Sequence, residues 1–399
     1  VIDFGSGINL NSSVNNTITN NNINSNSNGI YLGWWSNNNN IIENYVVSNT
    51  DYGILLYPYS DNNIITENHV SNNDNGIHLD RSDNNTLLRN TVTSSTDEGI
   101  ALYYDSNSNM VLENTISSNF WGVFGDVTNR NVIEGNNISL NGLGIYMLIS
   151  GGGYFYSNII RDNTITNNNG SGIRIGLTGG SYPTNDVIIT NNTITNNNGG
   201  GINIGSNVQG LKIIGNNISS NGYNGIYYSQ YCDITHPCNN HTITNNIINN
   251  NGRNGLLLST LSSFNNITLN SFCSNNQSGG DYYDINNANS SNYGDYNKCD
   301  TTANWNDNGV NGCTYSCSGY DYTPGDVNNN ELVNVADVTY LFSYLKGVGQ
   351  APPFVIETPN NGPFYPAADV NGNCMVNIAD VTYLFSYLKG VGQAPRYCP

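Results

Sequence analysis

The chain has 399 residues, 37% of them hydrophobic and only 10% charged, with 82 Asn, 43 Gly and 28 Tyr. A net charge of −18 carried with only 11 Lys plus Arg repels phosphate backbones, which argues against nucleic acid, and attracts divalent cations. No run of about 18 apolar residues is present to span a bilayer. The chain begins at Val1, without Met or a leader, and reads as a processed form.

From the N-terminus onward, Gly followed by an apolar residue sets a period. The pairs run from Gly29-Ile30, Gly53-Ile54 and Gly76-Ile77 through Gly122-Val123 to Gly255-Leu256, spaced 22 to 30 residues apart. Two Asn series keep step with them. One is Asn44, Asn68, Asn90, Asn114, Asn136 and onward to Asn270; the other is Asn40, Asn63, Asn85, Asn109 and Asn131. A fixed period of this size means a solenoid, and strands of three to five residues without helical spacing make it a β-solenoid. Each rung reads as three short strands, G-I-x-[L/I], N-x-I-I and E-N-x-I-[S/T]. Like residues then stack at the rung spacing of about 4.8 Å, so Ile and Leu fill the bore while Asn amides bond up the stack. The residue after each Gly pair (Tyr31, Leu55, His78, Ala101, Phe124, Tyr146, Arg174) is expected to face solvent. With Trp34, Trp35, Tyr57, Tyr59, Tyr103 and Tyr104 it makes a partly aromatic outer wall, suited to sugars or to a second subunit.

These rungs resemble the right-handed parallel β-helix repeats of the NosD-like and carbohydrate-binding/sugar-hydrolase group, over about residues 8 to 300. The fold expected is mainly β, about 11 rungs over residues 1–270, with a disulfide-rich cap over 271–323. All eight Cys (Cys232, Cys238, Cys273, Cys299, Cys313, Cys317, Cys374 and Cys398) lie in the C-terminal half and none forms a CxxC pair. They point to disulfides in an oxidising compartment, with the connectivity left open and Cys374–Cys398 one option. NosD is linked to copper, but three Met and four scattered His give no copper cluster here.

Residues 324–399 change grammar. Asp326, Asn328, Asn330, Leu332, Asn334 and Asp337 stand at positions 1, 3, 5, 7, 9 and 12 of a loop. Asp369, Asn371, Asn373, Met375, Asn377 and Asp380 repeat it, and the helix after each loop is letter-for-letter the same. Side-chain oxygens at five of these positions and a backbone carbonyl at position 7 make a Ca²⁺ cage of the EF-hand type, twice over. The duplicated loop-helix resembles the type I dockerin, which implies two Ca²⁺ ions and a cohesin-like partner. Position 6, commonly Gly, is Glu331 and Cys374, which lowers the expected affinity. Val335, Ala336, Ile378 and Ala379 occupy the partner-reading positions 10 and 11, so an apolar partner is expected.

For catalysis, Asp51, Asp74 and Asp97 are the best carboxylates, stacked two residues before three successive rung glycines. They serve Ca²⁺, substrate or solvent equally well. Basic residues sit at different points of their rungs, which argues against a lyase. Asn84, Asn240, Asn266 and Asn276 begin glycosylation sequons. Three functions remain. The first is a non-catalytic extracellular filament, sheath or envelope subunit, joined to its own copies through the dockerin-like module and suited to an archaeal surface; the edge at Val1–Phe4 would pair with another chain. The others are a dockerin-borne carbohydrate-active enzyme and a sugar-binding adhesin.

Overall fold

A computed structural model of the chain describes residues 5–149, 155–177, 184–228, 232, 238–317, 325–328, 332–352, 356–358, 362–365, 367–373, 375–393 and 395. They form two compact units, residues 1–315 and 316–399.

The first unit is a β-solenoid of about eleven turns. Its first sheet has 13 strands, from Ser6–Asn11 to Thr302–Ala303, and its second has 12, from Thr17–Thr19 to Tyr293–Asp295. A third has nine strands and is prolonged by bridges from Asn217 to Ile247 and from Ile247 to Ser271. All three ladders are parallel and in register, with Ile30 beside Ile54 and Leu32 beside Leu56. Ile30, Leu32, Ile41 and Val46 and their equivalents in later rungs are fully buried in one continuous core.

The rung glycines solve a packing problem at the start of the first-sheet strands, as Gly122 does in Trp121–Asp126. A Cβ on Gly122 would lie 2.5 Å from the Gly144 carbonyl oxygen and 2.8 Å from an Ile138 methyl group. No side chain fits there, which is why Gly sets the period. Gly122→Ala should cost about 2 kcal/mol of stability, read from its urea midpoint, because the backbone that must yield is held in the ladder.

Asn serves the interior differently. In the series that begins at Asn44 each residue donates its backbone N–H and its Nδ2 to the Oδ1 of the Asn one rung on, as Asn114 does to Asn136 at 2.8 and 3.0 Å. The other series runs through Asn39 rather than Asn40. Asn39 is buried and bonded to Asn63, while Asn40 opens the next strand. Because the corner residue at 38 is in the left-handed region, the inward turn falls one residue earlier than the Asn run indicated. A third ladder, from Asn26, Asn49 and Asn73 through Asn119 and Asn141 to Asn275, runs three or four residues ahead of the rung glycines. Ser95 interrupts it, and the Ser95 hydroxyl has no hydrogen-bond partner.

The coil does not stop at Asn270. Strands Ile285–Asn287 and Tyr293–Asp295 pair with Leu256–Leu258 and Asn266–Thr268, so two of the sheets continue into the segment read as a cap. Gly, Tyr and Asn replace the usual Ile there, which hid the strands from the pattern. Two ladders end on aspartates. Asp307 accepts from the backbone N–H and Nδ2 of Asn297, from Trp305 Nε1 and from Thr314. Asp284 does the same for Asn275 and Thr301. An acceptor-only carboxylate is a natural terminus for a ladder in which each Asn side-chain oxygen accepts from the rung before it. Disulfides join Cys232 to Cys238 and Cys299 to Cys313, and Cys273 and Cys317 are also disulfide-bonded. Cys374 and Cys398 lie outside the described residues.

The second unit holds two helices, α1 (Val335–Leu345) and α2 (Ile378–Leu388), over a small core of Val327, Leu341, Ala368, Val370 and Leu384.

Candidate functional site

The outer column after the Gly pairs faces solvent at Arg174 and in part at Tyr31, but its middle does not. Leu55, His78, Ala101, Phe124 and Tyr146 are all buried, because neighbouring side chains fold over them. Ala101 is the key. Its small side chain lets Tyr103 lie back along the strand, where its hydroxyl donates to Glu98 Oε1 at 2.9 Å. The Tyr103 ring stacks on His78 at 4.8 Å and meets Phe124 at 5.0 Å, and Trp121, Tyr146 and Arg174 continue the layer. The sequence showed which residues point outward, but not that they carry a second layer. Within it, burial and then the Asp97 charge push the Glu98 carboxyl up to about 7. Burial pulls the His78 imidazole down to about 4, and its Nδ1 has no partner.

The next corner is exposed. Trp34, Trp35, Tyr59 and Tyr104 lie there on successive rungs with Arg81 among them, joined by backbone hydrogen bonds such as Trp34 to Tyr57 and Tyr59 to Arg81. Trp35 and Tyr59 are parallel at 6.0 Å, and the Arg81 guanidinium sits 5.4 Å from the Tyr104 centroid. Arg81 is paired to Asp80 at 2.9 Å.

Asp51, Asp74 and Asp97 do stack, with Asp97 N–H donating to the Asp74 carbonyl at 2.9 Å. Burial first, and then the Asp74 charge, raises the pKa of both Asp51 and Asp97. Asp74 also takes a hydrogen bond from the Thr96 hydroxyl. The arginines are engaged elsewhere: Arg89 with Glu67 and Arg161 with Glu134. Asn84 and Asn240 are exposed corner residues, whereas Asn266 is half-buried in a strand. The Asn276 amide nitrogen already donates to the Gly280 carbonyl at 2.9 Å.

In the second unit the loop residues converge as their spacing requires. Asn334 caps α1 and Asn377 caps α2, each in a capping box with the aspartate at position 12. Asp337 accepts from the backbone of Asn328 at 3.1 Å and Asn334 at 2.9 Å; Asp380 accepts from Asn371 and Asn377 at the same distances. Asp326, Asp337, Asp369 and Asp380 are all buried, while Leu332 and Met375, needed only for their carbonyls, are exposed. Burial raises the Asp337 pKa, and the Asp326 charge adds to the rise. Asn328 Oδ1 is buried without a hydrogen-bond partner. Two repelling carboxylates and an orphaned amide oxygen in one loop are what a hard cation with oxygen ligands relieves, so these residues fit Ca²⁺. Asn330, Glu331 and Cys374 lie outside the described residues. Val335, Ala336, Ile378 and Ala379 are exposed at the starts of the helices.

Family models divide the chain in the same way. Residues 1–159 match the model described as periplasmic copper-binding protein (NosD), 121–294 the right handed beta helix region, and 324–389 the dockerin type I domain. Residues 1–159 are thus NosD-like, within a right-handed β-helix, and residues 324–389 are a type I dockerin. No curated protein matches it. In fold the β-helix resembles the A-module of Azotobacter vinelandii mannuronan C-5 epimerase AlgE4, with TM-score 0.51 and 15% identity over 64% of this chain and 75% of that one. It also resembles a tailspike protein mutant of E. coli bacteriophage HK620 in complex with a pentasaccharide, with TM-score 0.52 and 14% identity over 69% and 55%. The chain thus spans about half the length of that tailspike. Identities this low establish the shared fold alone.

Copper, which the description of the NosD model names, finds no donor set among the described residues of this β-helix. His69 stacks on Tyr45, His78 lies between Tyr52 and Tyr103, and His241 is buried in the bore. Among the described residues no three His, Cys, Asp or Glu side chains converge on a metal position. The dockerin loops draw on Asn amides and backbone carbonyls as well as Asp. A dockerin implies a cohesin-like partner, and both families fit an extracellular or periplasmic place. Among the described residues no helix is long and apolar enough to cross a membrane.

Proposed function

We propose that the protein is an extracellular glycan-binding β-helix that its dockerin attaches to a cohesin-bearing partner in a Ca²⁺-dependent manner. The observation that supports binding is the exposed corner of Trp34, Trp35, Tyr59 and Tyr104, rings held on a stiff coil where burial has no use for them. Sugars offer apolar C–H faces and hydroxyls, and such a row meets both. The edge at Val1–Phe4, on which the filament reading rests, lies outside the described residues. The catalytic reading has Asp51, Asp74 and Asp97 as candidates, with the buried Glu98 held by Tyr103 beside Asp97, and among the described residues no ion pair joins them to a basic residue.

The attachment half has its own test. Calorimetric titration should count two Ca²⁺ sites, and Asp337→Ala or Asp380→Ala should each remove one, because each aspartate closes its loop at position 12. Cohesin binding should disappear in chelator, while retention on polysaccharide persists. Full Ca²⁺ uptake by the double variant, or silence on a glycan array, removes the corresponding half of the reading.

A further inference from the structure

Resting on the glycan-binding reading, the geometry points to an uncharged polysaccharide as the ligand, lying parallel to the solenoid axis across the corner formed by Trp35, Tyr59, Arg81 and Tyr104. The direction follows from the ladder. These residues belong to four successive rungs, bonded backbone to backbone, so the row runs along the axis for about 14 Å at the rung spacing. That length suits a few units of an extended polymer.

The backbone offers a second observation. Trp34, Trp35, Tyr59, Arg81 and Tyr104 all have positive φ, between 37° and 64°. Bulky residues are outliers in that region, and Asn or Gly adopts it with less strain. Other corners of the coil do use Asn, at positions 38, 62 and 84 among others. Positive φ is general at the corners of the coil, where Glu67, Arg89, Leu140 and Phe264 adopt it too; what marks this corner is that large exposed rings occupy it on neighbouring rungs.

Charge decides the chemical class. Residues 31–129 contain 12 Asp plus Glu against two Arg and no Lys. Both arginines are already committed, Arg81 to Asp80 and Arg89 to Glu67. Asp61 and Asp83 stand beside the row, where each accepts or passes on a rung-to-rung bond. A carboxylated or sulfated polymer meets net repulsion, which Arg130, near Asp83 and stacked over Tyr156, offsets only in part. A neutral polymer meets rings for its C–H faces and oxygens that accept from its hydroxyls.

The experiment is affinity electrophoresis of the full chain in Ca²⁺ through gels holding neutral polymers (hydroxyethylcellulose, laminarin, galactomannan), anionic ones (carboxymethylcellulose, alginate) or chitosan. Retardation by at least one neutral polymer, little changed between low and high salt, is expected. Trp35→Asn with Tyr59→Asn should weaken that binding at least tenfold without lowering the thermal midpoint, since Asn tolerates these corners. Tighter, salt-sensitive binding to an anionic polymer or to chitosan would overturn the inference and leave the glycan-binding reading standing. Unchanged affinity in the double variant would overturn the placement. Retention by no polymer at all would remove the glycan-binding reading itself.

Discussion

Replacing Asn136 by alanine should destabilise the β-helix by about 4 kcal/mol, the largest single-residue effect expected outside its cap. Asn136 accepts the backbone N–H and Nδ2 of Asn114 through its Oδ1. Its own Nδ2 donates to the carbonyls of Val111 and Glu134 and to Asn163 Oδ1, at 2.8 to 3.0 Å. Alanine leaves two buried donors and two buried carbonyls short of a partner, and each such group costs about 1–3 kcal/mol where water cannot reach. Aspartate should be no better, because it restores the acceptors but not the donors and adds a buried charge. Urea unfolding at neutral pH measures both variants. A loss under about 1 kcal/mol for Asn136→Ala would show that the ladder is decoration on a core held by Ile alone.

The second large effect depends on pH. Glu98 has a folded pKa of about 7, above the ordinary carboxylate value, so the native state holds its proton more tightly than the unfolded chain does. Its contribution is therefore complete below about pH 4.5 and is lost as pH rises to 7, amounting to about 3 kcal/mol. His78 works the other way. With its folded pKa lowered to about 4, it contributes fully above about 6.5 and loses that contribution as pH falls toward 4. In the wild type the two slopes nearly cancel across this window. His241, lowered to about 3 by burial, adds an uncancelled loss toward acid. Glu98→Gln keeps an acceptor for the Tyr103 hydroxyl and carries no proton to lose. At pH 8 it should be more stable than the wild type by about 3 kcal/mol. At pH 4.5 the two should match, and between these pH values the variant should fall about twice as steeply as the wild type. Parallel profiles across that range would mean that Glu98 is solvated in the folded protein.

Much of the fold was legible because a solenoid repeats its physics. Gly stands wherever the start of a first-sheet strand admits no Cβ, Ile wherever the bore needs filling, and Asn wherever buried backbone needs donors and acceptors, so period and rung composition appear directly. The dockerin was legible for a similar reason: a loop of oxygen-bearing side chains at fixed offsets before a helix, given twice, leaves little freedom in its placement. The reading failed where one rung departs from the next. The Asn39 position was misplaced by one residue, since a run of four Asn contains no mark of which one turns inward. The third ladder went unread because its spacing to the rung glycine alternates between three and four residues.

The sequence alone thus determined the coil, the period of its rungs and the dockerin that follows it. Tertiary structure alone decided which aromatic residues are buried and which are exposed. Tyr103 and Tyr104 are neighbours in sequence, yet one lies over Ala101 to reach Glu98 and the other stands at the exposed corner. Outward direction follows from strand alternation, which is local. Burial depends on what the rungs above and below place beside a side chain, and those neighbours lie more than twenty residues away.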